Sequence, residues 1–257
     1  MKTVRLSVIA LLLLGALSCK KDASSTSSSV TSDQAADMAA SAMASNSGGV
    51  ASMADDISAN ALAVTSASGK TVNSASVSSV KQACGTTLSD SATFSGSSSS
   101  VTFNYFVKYT HTLNCNAQEA PDNLVNTLTY NGTFDGPRIS TTANGTANAT
   151  IAGLTQTAAN FVINGEYKRQ GTFQSKVGNK PSGNSNLDIV ITNLTLAKPG
   201  RAIVSGSGTF TLTGTAGKVN YSYTGTITFN GDGTATLNIT GGSSYTITLT
   251  SGVCTRR

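Results

Sequence analysis

No tryptophan occurs in this chain, and its one histidine is His111. The first absence removes the side chain that most favours stacking on sugars. The second makes any serine or cysteine nucleophile depend on His111, and no G-x-S-x-G elbow accompanies it. Charge is scarce as well: Asp, Glu, Lys and Arg make up 11% of the chain. The small excess of basic residues is dispersed and has no interleaved aromatics, so nucleic acid is not an expected partner. Glutamate occurs twice, at Glu119 and Glu166. Neither these two nor Asp188 has a spacing that marks a glycosidase carboxylate pair. C-x-x-C is missing, so His111 and the cysteines do not read as a metal set. No phosphate-cradling glycine loop precedes a helix. These absences point away from an enzyme, a cofactor and a metal. Long apolar runs are missing too. The run Leu6 to Leu17 falls short of the roughly 20 residues that span a bilayer.

That run is informative for another reason. Lys2 and Arg5 precede it, and Ser18 and Cys19 follow. A charged start, an apolar core of about 7–15 residues and small residues at the cut make an export signal. Its ending on a cysteine resembles the bacterial lipoprotein signal. The resemblance implies that the Cys19 sulfur receives a diacylglycerol, that the chain is cut just before it, and that the new amine is acylated. Two or more acyl chains give stable anchoring where one gives only marginal binding. Lys20, Lys21 and Asp22 come next, which resembles lipoproteins of the Bacteroidota. In those, charged residues after the cysteine bias export to the outer membrane or cell surface.

The organisation follows from composition. Residues 1–18 are the signal and 19–32 a Ser-rich flexible tether. Residues 33–64 are Ala-rich and predict a weak helical pair. Ser32 is the expected cap, Asp33 and Asp37 the expected first-turn acids, and Gly48-Gly49 the break. Val50, Met53, Ala54, Ile57 and Ala61 share one helical face. Met38, Met43 and Met53 read as packing residues.

Residues 76–257 change to period two. Tyr105, Val107, Tyr109, His111 and Leu113 alternate with Asn104, Phe106, Lys108, Thr110 and Thr112, the pattern of a half-buried strand. Similar segments recur to Val253. Asp135-Gly136-Pro137, a loop at Ser175–Ser185, Asn230-Gly231-Asp232-Gly233 and Gly241-Gly242 punctuate them. Sequential hairpins without crossover helices predict an antiparallel meander. The expected fold is mainly β. About ten strands at this spacing suggest a sandwich or a curled, barrel-like sheet. A membrane-spanning barrel is disfavoured, because one face is mostly Thr, Ser and Asn.

Besides Cys19 the chain carries Cys84, Cys115 and Cys254. Export implies a disulfide-permissive compartment. Cys84 and Cys115 flank a hairpin turning near residues 98–100, which puts them almost opposite each other. A bridge there closes a loop of about 30 residues, worth roughly 3 kcal/mol in the chain-entropy model. Cys254 is then free or externally paired. Asp90-Ser91-Ala92 resembles the triplet O-glycosylated on exported Bacteroidota proteins, which marks Ser91. The tyrosines fall mostly on expected inner faces and read as core.

Three stretches carry a broader resemblance: Thr133 to Arg138, Lys176 to Lys180, and Gly225 to Ala235. They look like uncharacterised Bacteroidota lipoproteins, a resemblance that covers most of the chain from Cys84 onward and implies no activity. The expected function is that of a membrane-anchored envelope or surface lipoprotein. Its β domain is structural or binds a glycan, lipid or protein. The alternative is a carrier whose Ala- and Gly-thinned inner face, between Ala143 and Gly208, encloses a lipid or other apolar ligand. A hydrolase using Glu166 or Asp188 ranks third.

Overall fold

A period-two alternation from Thr87 to Arg256 builds one sheet. The computed structural model of the protein describes residues 29–65, 82–98 and 100–257. The signal, Cys19 and most of the tether lie outside the described residues. The sheet contains β1 (Thr87–Ser97), β2 (Thr102–Cys115), β3 (Pro121–Asp135), β4 (Ile139–Ala152), β5 (Asn160–Ser175) and β6 (Ser182–Ala197). It continues with β7 (Ile203–Ala216), β8 (Val219–Phe229), β9 (Thr234–Ile239), β10 (Ser244–Thr248) and β11 (Cys254–Arg256). All pair antiparallel in sequence order from β1 to β11. The meander is as expected. It is neither a two-sheet sandwich nor closed into a barrel: β1 and β11 are its two edges. The expected loop at Ser175–Ser185 is shorter, because β6 already begins at Ser182.

Glycine and aromatic residues share the inner face in pairs. Phe103 lies opposite Gly96, Tyr105 opposite Gly132, Tyr130 opposite Gly145, Phe210 opposite Gly225 and Tyr221 opposite Gly214. A Cβ at any of these glycines would come within 2.7 Å of the partner's ring. Each ring therefore lies flat across its neighbouring strand, and the sheet can coil tightly there.

The inner face is covered by α1 (Ser32–Met43), a 3-10 turn (Ser45–Ser47) and α2 (Val50–Thr65). Gly48 closes that turn at φ 62°, where a side chain is strained. The helical pair is docked. Ala35, Ala36, Ala39, Ala40 and Ala42 are fully buried, and so are Val50, Ala54, Ile57 and Ala61. Met38, Met43 and Met53 are buried packing residues, as read. Small side chains let α1 sit close to β4, where Ala143 shares a small cavity with Met38 and Ser41. The cap differs by one residue. Thr31 takes it in a capping box with Gln34. Asp37 lies one turn beyond the first and pairs with Arg138 at 2.7 Å.

Polar side chains pin the helices around their rim. Tyr245 donates to Asp33 at 2.7 Å and Tyr109 to Asp56 at 2.8 Å. Gln34 donates to Asn179 at 2.8 Å. Arg201 pairs with Asp55 at 3.1 Å. At the centre, Arg169 is buried. Its guanidinium donates to the Ser41 carbonyl, the Tyr105 hydroxyl and the Thr141 hydroxyl. Ser41 belongs to the last turn of α1, where carbonyls lack intrahelical partners and the helix dipole is negative. The buried cation is thus compensated by a helix terminus, with neutral partners and no carboxylate.

Candidate functional site

The outward face of the sheet carries an open trough of about 730 Å³. Register explains its shape. One row of outward side chains crosses six strands as Phe106, Asn131, Asn144, Gln170, Asn186 and Thr213. A second row runs beside it as Lys108, Thr129, Thr146, Lys168, Asp188 and Thr211. The backbone between the rows, at Tyr130, Gly145, Arg169 and Leu187, makes the floor. Their side chains point the other way into the core, since neighbours on a strand face opposite sides. Six strands spaced about 4.8 Å apart give the trough a length of roughly 24 Å.

The first row is made of amides. Asn131, Asn144, Gln170 and Asn186 sit side by side on consecutive strands. None of their side chains hydrogen-bonds to another described residue. Each amide offers two donors and one acceptor. Phe106 heads the row and is 44% exposed, on the side of β2 that is otherwise polar.

The second row holds the charge. Lys168 pairs with Glu166 at 2.8 Å and lies 3.9 Å from Asp188. Burial pushes the Asp188 carboxyl up, and the neighbouring Glu166 charge adds to the rise. The hydrogen bond from Lys168 holds Glu166 below its ordinary value. Lys168 thus serves one carboxylate well and the other poorly. Lys108, at the β2 end, makes no ion pair among the described residues.

On the inner face, the space beside the helices is much smaller where the described residues form a cavity. The cavity beside Arg169, lined by Met38, Ser41, Ala143 and Leu212 among others, has about 10 Å³. That is at most one water molecule. At Ala143 the thinned inner face is met by α1, whose Met38 and Ser41 line that cavity with it.

The other residues singled out from sequence are scattered. Cys84 and Cys115 form a disulfide with Cα atoms 5.6 Å apart. The register that pairs Thr87 with Thr112, extended three residues, puts them opposite each other. Cys254 is a free, half-buried thiol, and burial pushes it up to about 12. His111 lies on the inner face of β2, and burial lowers it. With Cys84 and Cys115 joined to each other, these residues cannot offer a thiolate set to zinc. Ser91 is exposed on β1 directly across from Lys108, beside the trough's end. Glu119 sits in the turn before β3, away from Glu166. Asp232 accepts from Thr234 within the β8–β9 turn, a turn contact rather than a cation ligand.

Alternation alone does not single out the amide row. Its members read as ordinary members of a solvated face, because alternation assigns the face and says nothing of cross-strand neighbours. The signal that reaches them is Phe106, an aromatic out of phase on a polar face, together with hairpin turns that fix register.

The chain matches no family model, no curated protein and no solved structure. The site therefore stands on its own geometry.

Proposed function

We propose that this chain is an exported lipoprotein, held to the outer membrane or cell surface through Cys19, whose β domain is a non-catalytic binding module. The trough is its binding face. The observation that carries this is the contrast in space: about 730 Å³ open on the polar face against about 10 Å³ under the helices. A volume of several hundred cubic ångströms with convergent polar groups is the usual size of a ligand site. The charged cluster of Glu166, Lys168 and Asp188 fits a binding role, because its cation is already paired with the two carboxylates. The resemblance to Bacteroidota lipoproteins supports the anchor. The carrier reading ranks second, since cargo could enter the inner face only if α1 and α2 left it.

Two measurements test the proposal. Cys19→Ala abolishes acyl labelling and moves the protein from the membrane to the soluble fraction; continued membrane partitioning overturns the anchor. Bulky Thr146→Trp, placed on the trough wall, abolishes binding of the ligand captured from envelope extract while the melting temperature holds. Unchanged binding overturns the trough.

A further inference from the structure

We infer that the trough binds an extended, uncharged oligosaccharide, lying across the strands with its hydroxyls on the amide row and one sugar face on Phe106. The inference rests on the trough being the binding face, and it names the ligand class. Three observations carry it.

The first is shape. The trough runs across six strands for roughly 24 Å and is open, so it suits a linear chain and not a compact molecule. The second is the donor set. Asn131, Asn144, Gln170 and Asn186 form four neighbouring amides, with both donors and acceptors uncommitted. Vicinal hydroxyls are donors and acceptors at once, and they repeat along a sugar chain as the amides repeat across the strands. The third is Phe106. A 44% exposed ring beside the amide row supplies the apolar face that a pyranose ring covers with its C–H groups.

The competing ligands fit less well. An extended peptide binds a sheet by adding a strand at its edge, through unpaired backbone groups. The trough floor is interior sheet, whose backbone groups are spent on the β2–β7 ladders. A polyanion would need several free cations, and Lys168 is occupied by Glu166 and Asp188. A purely apolar ligand would cover Asn131, Asn144, Gln170 and Asn186 without giving their amides a hydrogen-bond partner.

The test is calorimetric titration of the mature lipidated protein, beginning at Cys19, in detergent micelles. The probes are linear neutral glucose, N-acetylglucosamine, mannose and xylose oligomers of two to seven units, with dextran sulfate and a Gly-Ser-Thr peptide as contrasts. At least one neutral oligomer binds with a dissociation constant of about 1 mM or tighter. Its affinity rises with length and levels off once the trough is spanned. Phe106→Ala weakens binding about tenfold, and Asn144→Ala and Gln170→Ala each weaken it about two- to tenfold. Circular dichroism melts confirm that these exposed substitutions keep the fold. Failure of all neutral oligomers overturns the inference. If dextran sulfate or the peptide binds instead and the Phe106 and Asn144 variants weaken it, the ligand class is wrong and the trough stands. If binding of whichever probe is indifferent to all three variants, the trough itself is not the binding face, and both readings fall together.

Discussion

The two faces of this sheet are made by the same strands and differ in nearly every physical respect. Facing inward, Tyr105, Tyr167, Phe161, Ile189 and Phe210 are buried to within 2% of full enclosure, and two helices seal them. Facing outward, residues one position away form an open trough of amides, hydroxyls and a few charges. The inner face converts burial into stability. The outer one carries little stability and leaves its hydrogen-bonding groups unspent. Selection for fold and selection for binding can therefore act on alternate residues of one strand with little conflict.

That separation can be broken most forcefully from the inside. Phe161→Ala empties a fully buried position on β5 and is expected to cost about 3–5 kcal/mol in urea denaturation. A loss below about 1 kcal/mol would mean that the inner face is not the load of the fold. Reduction of Cys84–Cys115, or Cys84→Ala with Cys115→Ala, frees a loop with a sequence separation of 31 and costs about 3–4 kcal/mol in the chain-entropy model. Equal denaturation midpoints with and without reductant would show that the bridge is not formed.

The seam between helix and sheet comes next. Arg169→Met keeps the volume but removes the donor to the Tyr105 and Thr141 hydroxyls and one of two donors to the Ser41 carbonyl, at about 1–3 kcal/mol. Limited proteolysis should then cut near α1 before it cuts the sheet; simultaneous cutting argues against a local latch. The same seam gives a pH dependence. Burial on the sheet-facing side of α2 pushes Asp56 from 3.8 up to about 6, with Asp55 adding to the rise and Tyr109 and Arg201 opposing it. The folded protein then holds this proton more tightly than the unfolded chain. Its contribution is full below about pH 4, falls away between about 4 and 6, and is flat above. Asp56→Asn should flatten that fall in melting temperature. Asp37, raised by its own burial, leaves a smaller slope of the same sign. A slope unchanged by Asp56→Asn would place the titration elsewhere.

The smallest stability effect belongs to the outer face. Asn144→Ala and Gln170→Ala remove no internal hydrogen bond, and each should stay within about 0.5 kcal/mol of the parent. Destabilisation beyond about 1 kcal/mol would show that the amide row is structural.

Much of this was legible in the residues. Period-two runs such as Tyr105-Val107-Tyr109 gave the strands and their buried side, and Asn230-Gly231-Asp232-Gly233 gave a hairpin. The spacing of Cys84 and Cys115 about a turn gave their bridge. Less legible were features that depend on strands meeting. Asn131, Asn144, Gln170 and Asn186 lie 13, 26 and 16 residues apart in sequence and become neighbours only through register. Thr31 displaced Ser32 as the cap because the capping box selects the residue three before Gln34, not the nearest hydroxyl. Arg169 had no mark in sequence, since the helix end that compensates it lies 128 residues away.

The sequence by itself determined which side of each strand is apolar, the antiparallel order, the helical segment and the disulfide, because these depend on local periodicity and turn chemistry. Only the tertiary structure decided that the sheet stays open, that α1 and α2 cover its inner face, and that the trough lies on the polar face. Those outcomes follow from which surfaces meet once the strands have paired, and no window of a few residues contains that information.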